Sequence, residues 1–196
     1  MYEDLIDLFA YAVEGAIAIN EFHKWLIKLG AEFGTRMENR VSFGRDSPNH
    51  PDAKYQHAKT YEQLLADFST EGSHHQLHRR GIVALTYAKW EDQYRKKIAE
   101  DCCLVDDKGV VCKNRVKSDI FKELNWYRQA ILHRNGKLKE EPRILCFARK
   151  GDTVSFTGNH MYELFSILID ELNRIGEAYY GKNPRFSLDK LLNQPN

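Results

Sequence analysis

Two residues in the segment 118–136 have side chains suited to holding an anion and moving a proton: Arg128 and His133. On an ideal helix with Ile120 at zero, Ile131 falls at about 20°, Leu124 at about 40°, Phe121 at about 100° and Leu132 at about 120°. These residues define an apolar stripe, and Arg128, at about 80°, stands inside it. A guanidinium cannot shed its proton to escape burial, and an unpaired buried charge is strongly unfavourable. Arg128 therefore needs a partner, or its stripe faces something wet or anionic. Glu91, at the edge of the preceding helix's stripe, suits an internal ion pair. A phosphate suits an anion site. The two are compatible, because Glu91 could hold Arg128 in place while it binds.

His133 follows five positions later and points about 140° away. The two side chains meet only if the helix frays or a second subunit contributes. His133 also lies in the last turn before Gly136, where exposed carbonyls favour a cation, so it reads either as a cap or as a proton-transfer group. Of the adjacent pair Trp126 and Tyr127, Tyr127 falls on the core side. Trp126 lies nearer His133 and is a candidate for base stacking or a dimer contact. Between residues 113 and 143 there are nine Lys/Arg, Arg134 and Lys137 among them, against four acids. That excess suits either phosphate contact or a solvated helix face. His74 and His78 are four apart, as paired metal ligands can be, but no acid or cysteine accompanies them at a familiar spacing. A solvated helix start is the simpler reading, and no metal or cofactor is expected. No Gly-rich phosphate loop, dinucleotide fingerprint or G-x-S-x-G motif occurs.

The elements that must carry these residues follow from periodicity. Apolar positions Leu5, Phe9, Ala12, Ala16, Phe22 and Leu26 predict a first helix over 2–29, with Gly30 and Gly34 as stops. Residues 34–53, polar and with two prolines, read as a long loop. A second helix is expected over 53–68 and a third over 75–101, the latter with Ile82, Val83, Tyr87, Trp90, Tyr94 and Ile98 towards the core. Ser118 is a good N-cap for the fourth helix and Asn135-Gly136 a good C-terminal pair. Residues 143–148 and 153–157 read as two short strands joined through Lys150-Gly151-Asp152. Asn159 could cap a last helix over 160–180 with Met161, Leu164, Phe165, Leu168 and Leu172 inward. The expected class is all-α: an antiparallel bundle of four to five helices with one small β-hairpin before the last helix. The expected organisation is 1–52 as an N-terminal helix and polar loop, 53–181 as the bundle, and 182–196 as a tail.

Composition narrows the function classes. The chain has 196 residues, 42% hydrophobic, with 29 Lys+Arg against 28 Asp+Glu. Such balance excludes a polycation or an acidic disordered segment. No apolar run approaches the roughly 18 residues of a membrane helix, so no membrane partner is expected. The opening MYEDLIDLFAYAVEG is acidic where a secretory leader would be basic. Cys102, Cys103, Cys112 and Cys146 form neither a zinc framework nor a disulfide scaffold, and are read as reduced thiols in a cytoplasmic protein.

The stretch ELNWYRQAILHRNGKL (123–138) resembles the motif of the HEPN superfamily: an Arg, four to six residues, then a His near a helix end. Here that is Arg128-Gln-Ala-Ile-Leu-His133, within an A-I-x-H-x-x-G setting over 130–136. Upstream, IVALTYAKWEDQYRK (82–96), with its aromatic core and Trp90-Glu91 pair, is similar to the helix of RiboL-PSP-type HEPN domains. The resemblance covers about residues 75–180 and leaves 1–50 unexplained. It implies a metal-independent endoribonuclease in which two subunits line one cleft with their motif helices, so that Arg128 and His133 of both chains surround one scissile phosphate. RNA supplies its own nucleophile, the 2′-OH. His133 would act as general acid or base, and Arg128 would stabilise the charge developing on phosphorus. The expected products are a 2′,3′-cyclic phosphate and a 5′-hydroxyl. The resemblance further implies Gln129 and Glu91 as supporting residues, Trp126, Arg134 and Lys137 against RNA, a homodimer, and a toxin or antiphage role with an antitoxin protein as a further partner. Active members often carry Asn, Asp or His after the motif Arg; Gln129 can hydrogen-bond but carries no charge. Two alternatives stay open. One is a non-catalytic HEPN-like module binding RNA, a nucleotide or a protein. The other is a structural helical protein in which Arg128–Glu91 is an internal ion pair.

Overall fold

The computed structural model describes residues 2–44 and 55–182. Its described elements are α1 (Tyr2–Glu32), β1 (Arg40–Gly44), β2 (Tyr55–Thr60), α2 (Tyr61–Phe68), α3 (Ser73–Lys89), a π-helical turn at Trp90–Tyr94, α4 (Arg95–Asp101), a 3-10 turn at Lys113–Arg115, α5 (Asp119–His133) and α6 (Gly158–Tyr180). The class is all-α, as the periodicity predicts, and the described residues carry one small two-stranded antiparallel sheet, near the N-terminus rather than before the last helix. No helix of the described residues is long and apolar enough to cross a membrane. The chain divides into two compact units, Met1–Ala12 with Arg79–Asn196, and Val13–His78. That division falls within α1 and α3. The expected tail, beyond Lys182, and part of the expected loop, 45–53, lie outside the described residues.

In the unit Val13–His78, β1 pairs with β2 in the register Arg40↔Thr60, Val41↔Lys59, with an irregularity at Phe43/Gly44. The sheet occupies part of the stretch expected as loop, and β2 takes the start of the expected second helix. Thr60 explains that boundary. Its hydroxyl accepts from Gln63 N at 3.1 Å and the Gln63 side chain accepts from Thr60 N at 3.0 Å, a reciprocal cap that starts α2 only at Tyr61. Tyr61 is buried and donates to the Leu26 carbonyl at 2.8 Å. Its ring explains Gly30, which does not stop α1: a Cβ there would come within 2.1 Å of the Tyr61 hydroxyl. Phe68 packs against Phe22 (centroids 4.7 Å apart) and stacks on His74 (3.9 Å). His74 thus serves packing.

In the other unit, Phe9 of α1 packs edge-on against Phe165 of α6, centroids 5.0 Å apart. The expected third helix is a continuous rod interrupted by the π turn, where Arg95 N bonds to Trp90 O. Its run against α5 is antiparallel. Moving along it, Tyr87 meets Arg128, Trp90 stacks on Phe121 (4.1 Å, 4°), and Arg95 Nε reaches Val116 O at 3.1 Å. On α5 the Ser118 hydroxyl accepts from Phe121 N at 3.2 Å, confirming the N-cap. At the other end Asn135 and Gly136 take positive φ (51° and 81°), and Gly136 N reaches back to Ala130 O at 2.9 Å. The last helix is capped by Thr157, with His160 completing a reciprocal cap, two residues ahead of the expected Asn159.

The expected hairpin over 143–157 does not form. Glu123, buried on α5, accepts the N–H groups of Arg143 (2.8 Å), Ile144 (3.0 Å) and Leu145 (2.8 Å). The Tyr127 hydroxyl donates to Leu145 O and accepts from Ala148 N at 3.2 Å. With these groups committed to α5, residues 143–148 have no free ladder edge. Thr153 instead bridges Lys137, and Val154 N bonds Gly136 O at 2.8 Å. From α3, Arg80 donates to Val154 O and Arg79 to Phe156 O at 2.6 Å.

Candidate functional site

The site is built on α5 and the facing rod of α3 and its π turn. The buried face of α5 is Phe121, Glu123, Leu124, Tyr127 and Ala130. It is rotated away from the stripe expected from apolar types alone, because Glu123 and Tyr127 are inward and Leu132 is 51% exposed. Arg128 therefore stands at the edge of the core face, half-buried, rather than in its middle.

There its guanidinium carbon lies 5.5 Å from the centre of the Tyr87 ring, a cation–π contact. Among the described residues no carboxylate pairs with it. The expected partner, Glu91, is engaged elsewhere: it holds Arg95 Nη1 at 2.9 Å and Lys113 Nζ at 2.9 Å. Burial alone would raise the Glu91 carboxyl, but hydrogen bonds from Lys113 and Arg95 outweigh it and hold it below the usual carboxylate value. Tyr87 links the two, with its ring against Arg128 and its hydroxyl donating to Glu91 Oε2 at 3.3 Å. Burial, then the neighbouring Glu91 charge, pushes the Tyr87 phenol upward, so it remains a donor. The structure thus places Glu91 near Arg128 only through Tyr87, a residue the sequence marked as core.

His133 is the last residue of α5 and is exposed. Five positions on a regular helix separate it from Arg128 by about 140°, so within one chain the two face different ways. Trp126, Gln129 and His133, spaced i, i+3, i+7, share a face instead. Trp126 and Gln129 are half-buried, and Lys122 Nζ lies 5.7 Å from the centre of the Trp126 ring. Arg134 is the half-buried C-cap of α5, and Lys137 is exposed at the isolated bridge to Thr153. Arg128 thus fronts α3, while His133 fronts solvent at the helix end, with the half-buried Gln129 and Trp126 behind it on the same face.

Three contributors were not singled out from the sequence as parts of the site. Glu123 and Tyr127 fix the chain after α5 and so fix the helix end that bears His133. Burial drives the Tyr127 phenol up to about 12, which keeps that hydroxyl protonated for its bonds to the loop. The third is Asn125, one turn before Arg128, whose Oδ1 is sealed from solvent with no hydrogen-bond donor among the described residues.

Among the described residues no group of three His, Cys, Asp or Glu is placed to hold a metal, and the four cysteines are free. What the arrangement offers is a fixed cation not neutralised by an acid, a solvent-facing imidazole at a helix end, and an aromatic beside it. These suit phosphate binding and proton transfer. In comparison with known proteins, no family model, no curated protein and no solved structure matches the chain.

Proposed function

We propose that this protein is a HEPN-type, metal-independent endoribonuclease acting as a homodimer. The observation that carries the reading is the state of Arg128: half-buried, steadied by the Tyr87 ring, and without a carboxylate partner among the described residues, where Glu91 serves Arg95 and Lys113. A guanidinium fixed and not neutralised is a phosphate receptor. In the dimer, Arg128 of each chain would flank one scissile phosphate. His133 would take the 2′-OH proton as the 2′-oxygen bonds to phosphorus. The bond from phosphorus to the 5′-oxygen breaks, and His133 of the partner subunit would protonate that leaving oxygen. The products are a 2′,3′-cyclic phosphate and a 5′-hydroxyl. Gln129 and Trp126, on the His133 face, would contact phosphate and base, with Arg134 and Lys137 extending the cationic track. A toxin or antiphage role, with an antitoxin as partner, rests on the family resemblance alone.

The test is cleavage of labelled RNA in EDTA by the purified protein and its His133→Ala and Arg128→Ala variants, with end-group analysis. Cleavage that persists in His133→Ala sinks the mechanism. A second reading, a non-catalytic RNA- or nucleotide-binding module, is favoured by Gln129 and by the divergence of Arg128 and His133 within one chain. Tight RNA binding without any cutting would select it.

A further inference from the structure

The first helix, α1, carries an outward apolar stripe that has no part in the site on α5. With Val13 at zero on a regular helix, Ile6 falls at about 20°, Ile17 at about 40° and Ala10 at about 60°. The order 6-10-13-17 steps by four, three and four, the spacing of a coiled-coil seam on one continuous helix. All four are exposed, Ile6 by 36%, Val13 by 41% and Ile17 by 56%. The opposite side of α1 is the inward one. There Leu8 is buried, a Cβ on Gly15 would come within 2.3 Å of the His78 ring, and Phe22 packs on Phe68. We propose that the stripe is a docking surface for an amphipathic helix of another protein, one that flanks its own apolar seam with Lys or Arg.

Charge chooses that partner. On the same scale Glu3 and Glu21 fall at about 80°, Glu14 at about 100° and Asp7 at about 120°, so four acids form one row along one flank of the stripe. All four are exposed. Glu21 pairs with Lys24 at 2.7 Å, while Glu3, Asp7 and Glu14 carry no ion pair among the described residues. From Glu3 to Glu21 the row runs about 27 Å, the length of about five helical turns. Charges placed beside an apolar seam select a partner helix of opposite sign and set its orientation.

The same row disfavours the other occupants. An antiparallel second copy that matched Ile6 to Ile17 and Ala10 to Val13 would twice set Asp7 beside the partner subunit's Glu14, and like charges so placed are destabilising. A parallel copy would bring the two Glu3 side chains together and give Asp7 and Glu14 no cation. A nucleic-acid backbone and an anionic lipid surface carry the sign of the row and are repelled by it. The stripe therefore stands apart from the ribonuclease reading, and it gives a role to part of the segment 1–50, which the HEPN resemblance leaves unexplained.

The test titrates the full-length protein with two synthetic three-heptad helices that carry Leu at the a and d positions, one with Lys and one with Glu at e and g. Fluorescence anisotropy at low and high salt gives Kd. The Lys helix is expected to bind in the micromolar range and to weaken with salt, and the Glu helix to bind at least about tenfold more weakly. Asp7→Lys/Glu14→Lys is expected to invert that preference. Val13→Ser/Ile17→Ser should weaken the Lys helix about tenfold. Since all four positions are exposed, both variants should keep the wild-type circular dichroism spectrum and melting curve. Equal affinity for the two helices, or no binding of either, overturns the proposal, as does a charge-reversed variant that still prefers Lys. A dimer mass in light scattering that is lost in Val13→Ser/Ile17→Ser assigns the stripe to a second copy. Binding to phosphatidylserine vesicles that is lost in the same variant assigns it to a membrane. Either result also overturns the proposal. Cutting of RNA enters none of these readouts, so this surface and the ribonuclease reading fail separately.

Discussion

The Tyr87 ring lies 5.5 Å from the Arg128 guanidinium while its hydroxyl reaches Glu91, so one phenol separates a carboxylate from the cation it was expected to neutralise. Tyr87→Phe keeps the ring and loses only the bond to Glu91. Its RNA affinity and cleavage are expected to stay within about threefold of wild type, whereas Tyr87→Leu removes a contact of about 0.5–1 kcal/mol and releases Arg128. A larger loss in Tyr87→Phe than in Tyr87→Leu would contradict the separation. Cleavage rates and filter binding at fixed salt provide the comparison.

His133→Ala should lower the cleavage rate by about 10²–10⁴-fold. The side chain is exposed at a helix end, so thermal unfolding should move little, within about 0.5 kcal/mol. Because the dimer reading uses both chains, mixing His133→Ala with Arg128→Ala subunits should give heterodimers that test whether one intact copy of each residue suffices. Size-exclusion with light scattering establishes whether the dimer exists.

Glu123 is predicted to matter for stability more than any residue of the proposed reaction centre. Its two oxygens take three backbone N–H groups, and Glu123→Ala leaves those donors without their partner at a cost of about 3 kcal/mol or more. Glu123→Gln should cost about 1–2 kcal/mol, since one oxygen still accepts. Urea melts measure the loss. Hydrogen exchange should accelerate at the amides of Arg143, Ile144 and Leu145 while those of α6 remain protected. Uniform acceleration would show that Glu123 is not a local staple.

How much was legible in sequence follows from which forces left a mark there. Ser118 and the Asn135-Gly136 pair were readable because capping is local and depends on residue type. The core side of α6 was readable because Met161, Leu164, Phe165, Leu168 and Leu172 repeat with the helix. Glu123 was not, because a buried carboxylate looks like a solvated one until its backbone partners are known. The same omission produced the wrong hairpin, since residues 143–148 have strand-like types but their N–H groups are claimed by Glu123. The phase of α5 was misjudged for the same reason, and Arg128 moved from the middle of a stripe to its edge. Arg128 and His133 were found from type and spacing; Tyr87 and Asn125 depend on a neighbouring helix and were not.

Acid should act on the start of α1. Hydrogen bonds from Lys89 and then Tyr94 bring the Asp4 carboxyl down from 3.8 to about 2. The stabilisation is present above pH of about 4 and is lost as pH falls through about 2, when the carboxylate is protonated. Asp4→Asn should lower stability near neutral pH and flatten the acid limb of the melting curve between those values. Thermal melts of both proteins from pH 2 to pH 7 decide it, and parallel curves would refute the linkage.

The π turn at Trp90–Tyr94 adds one residue to a single winding of the α3–α4 rod. That extra residue sets everything downstream back by about 100° relative to an uninterrupted helix, so that Tyr87 and Arg95, eight positions apart, come within about 20° of each other. Tyr87 before it and Arg95 after it therefore address the same side of α5, one at mid-length and one at its entrance. On a rod of unbroken pitch the two would stand about 80° apart. A single inserted amino acid, neutral to composition and to hydropathy, thus works as a phase shifter, and deleting it would detune one end of the rod's contact with α5 without removing any group that makes it.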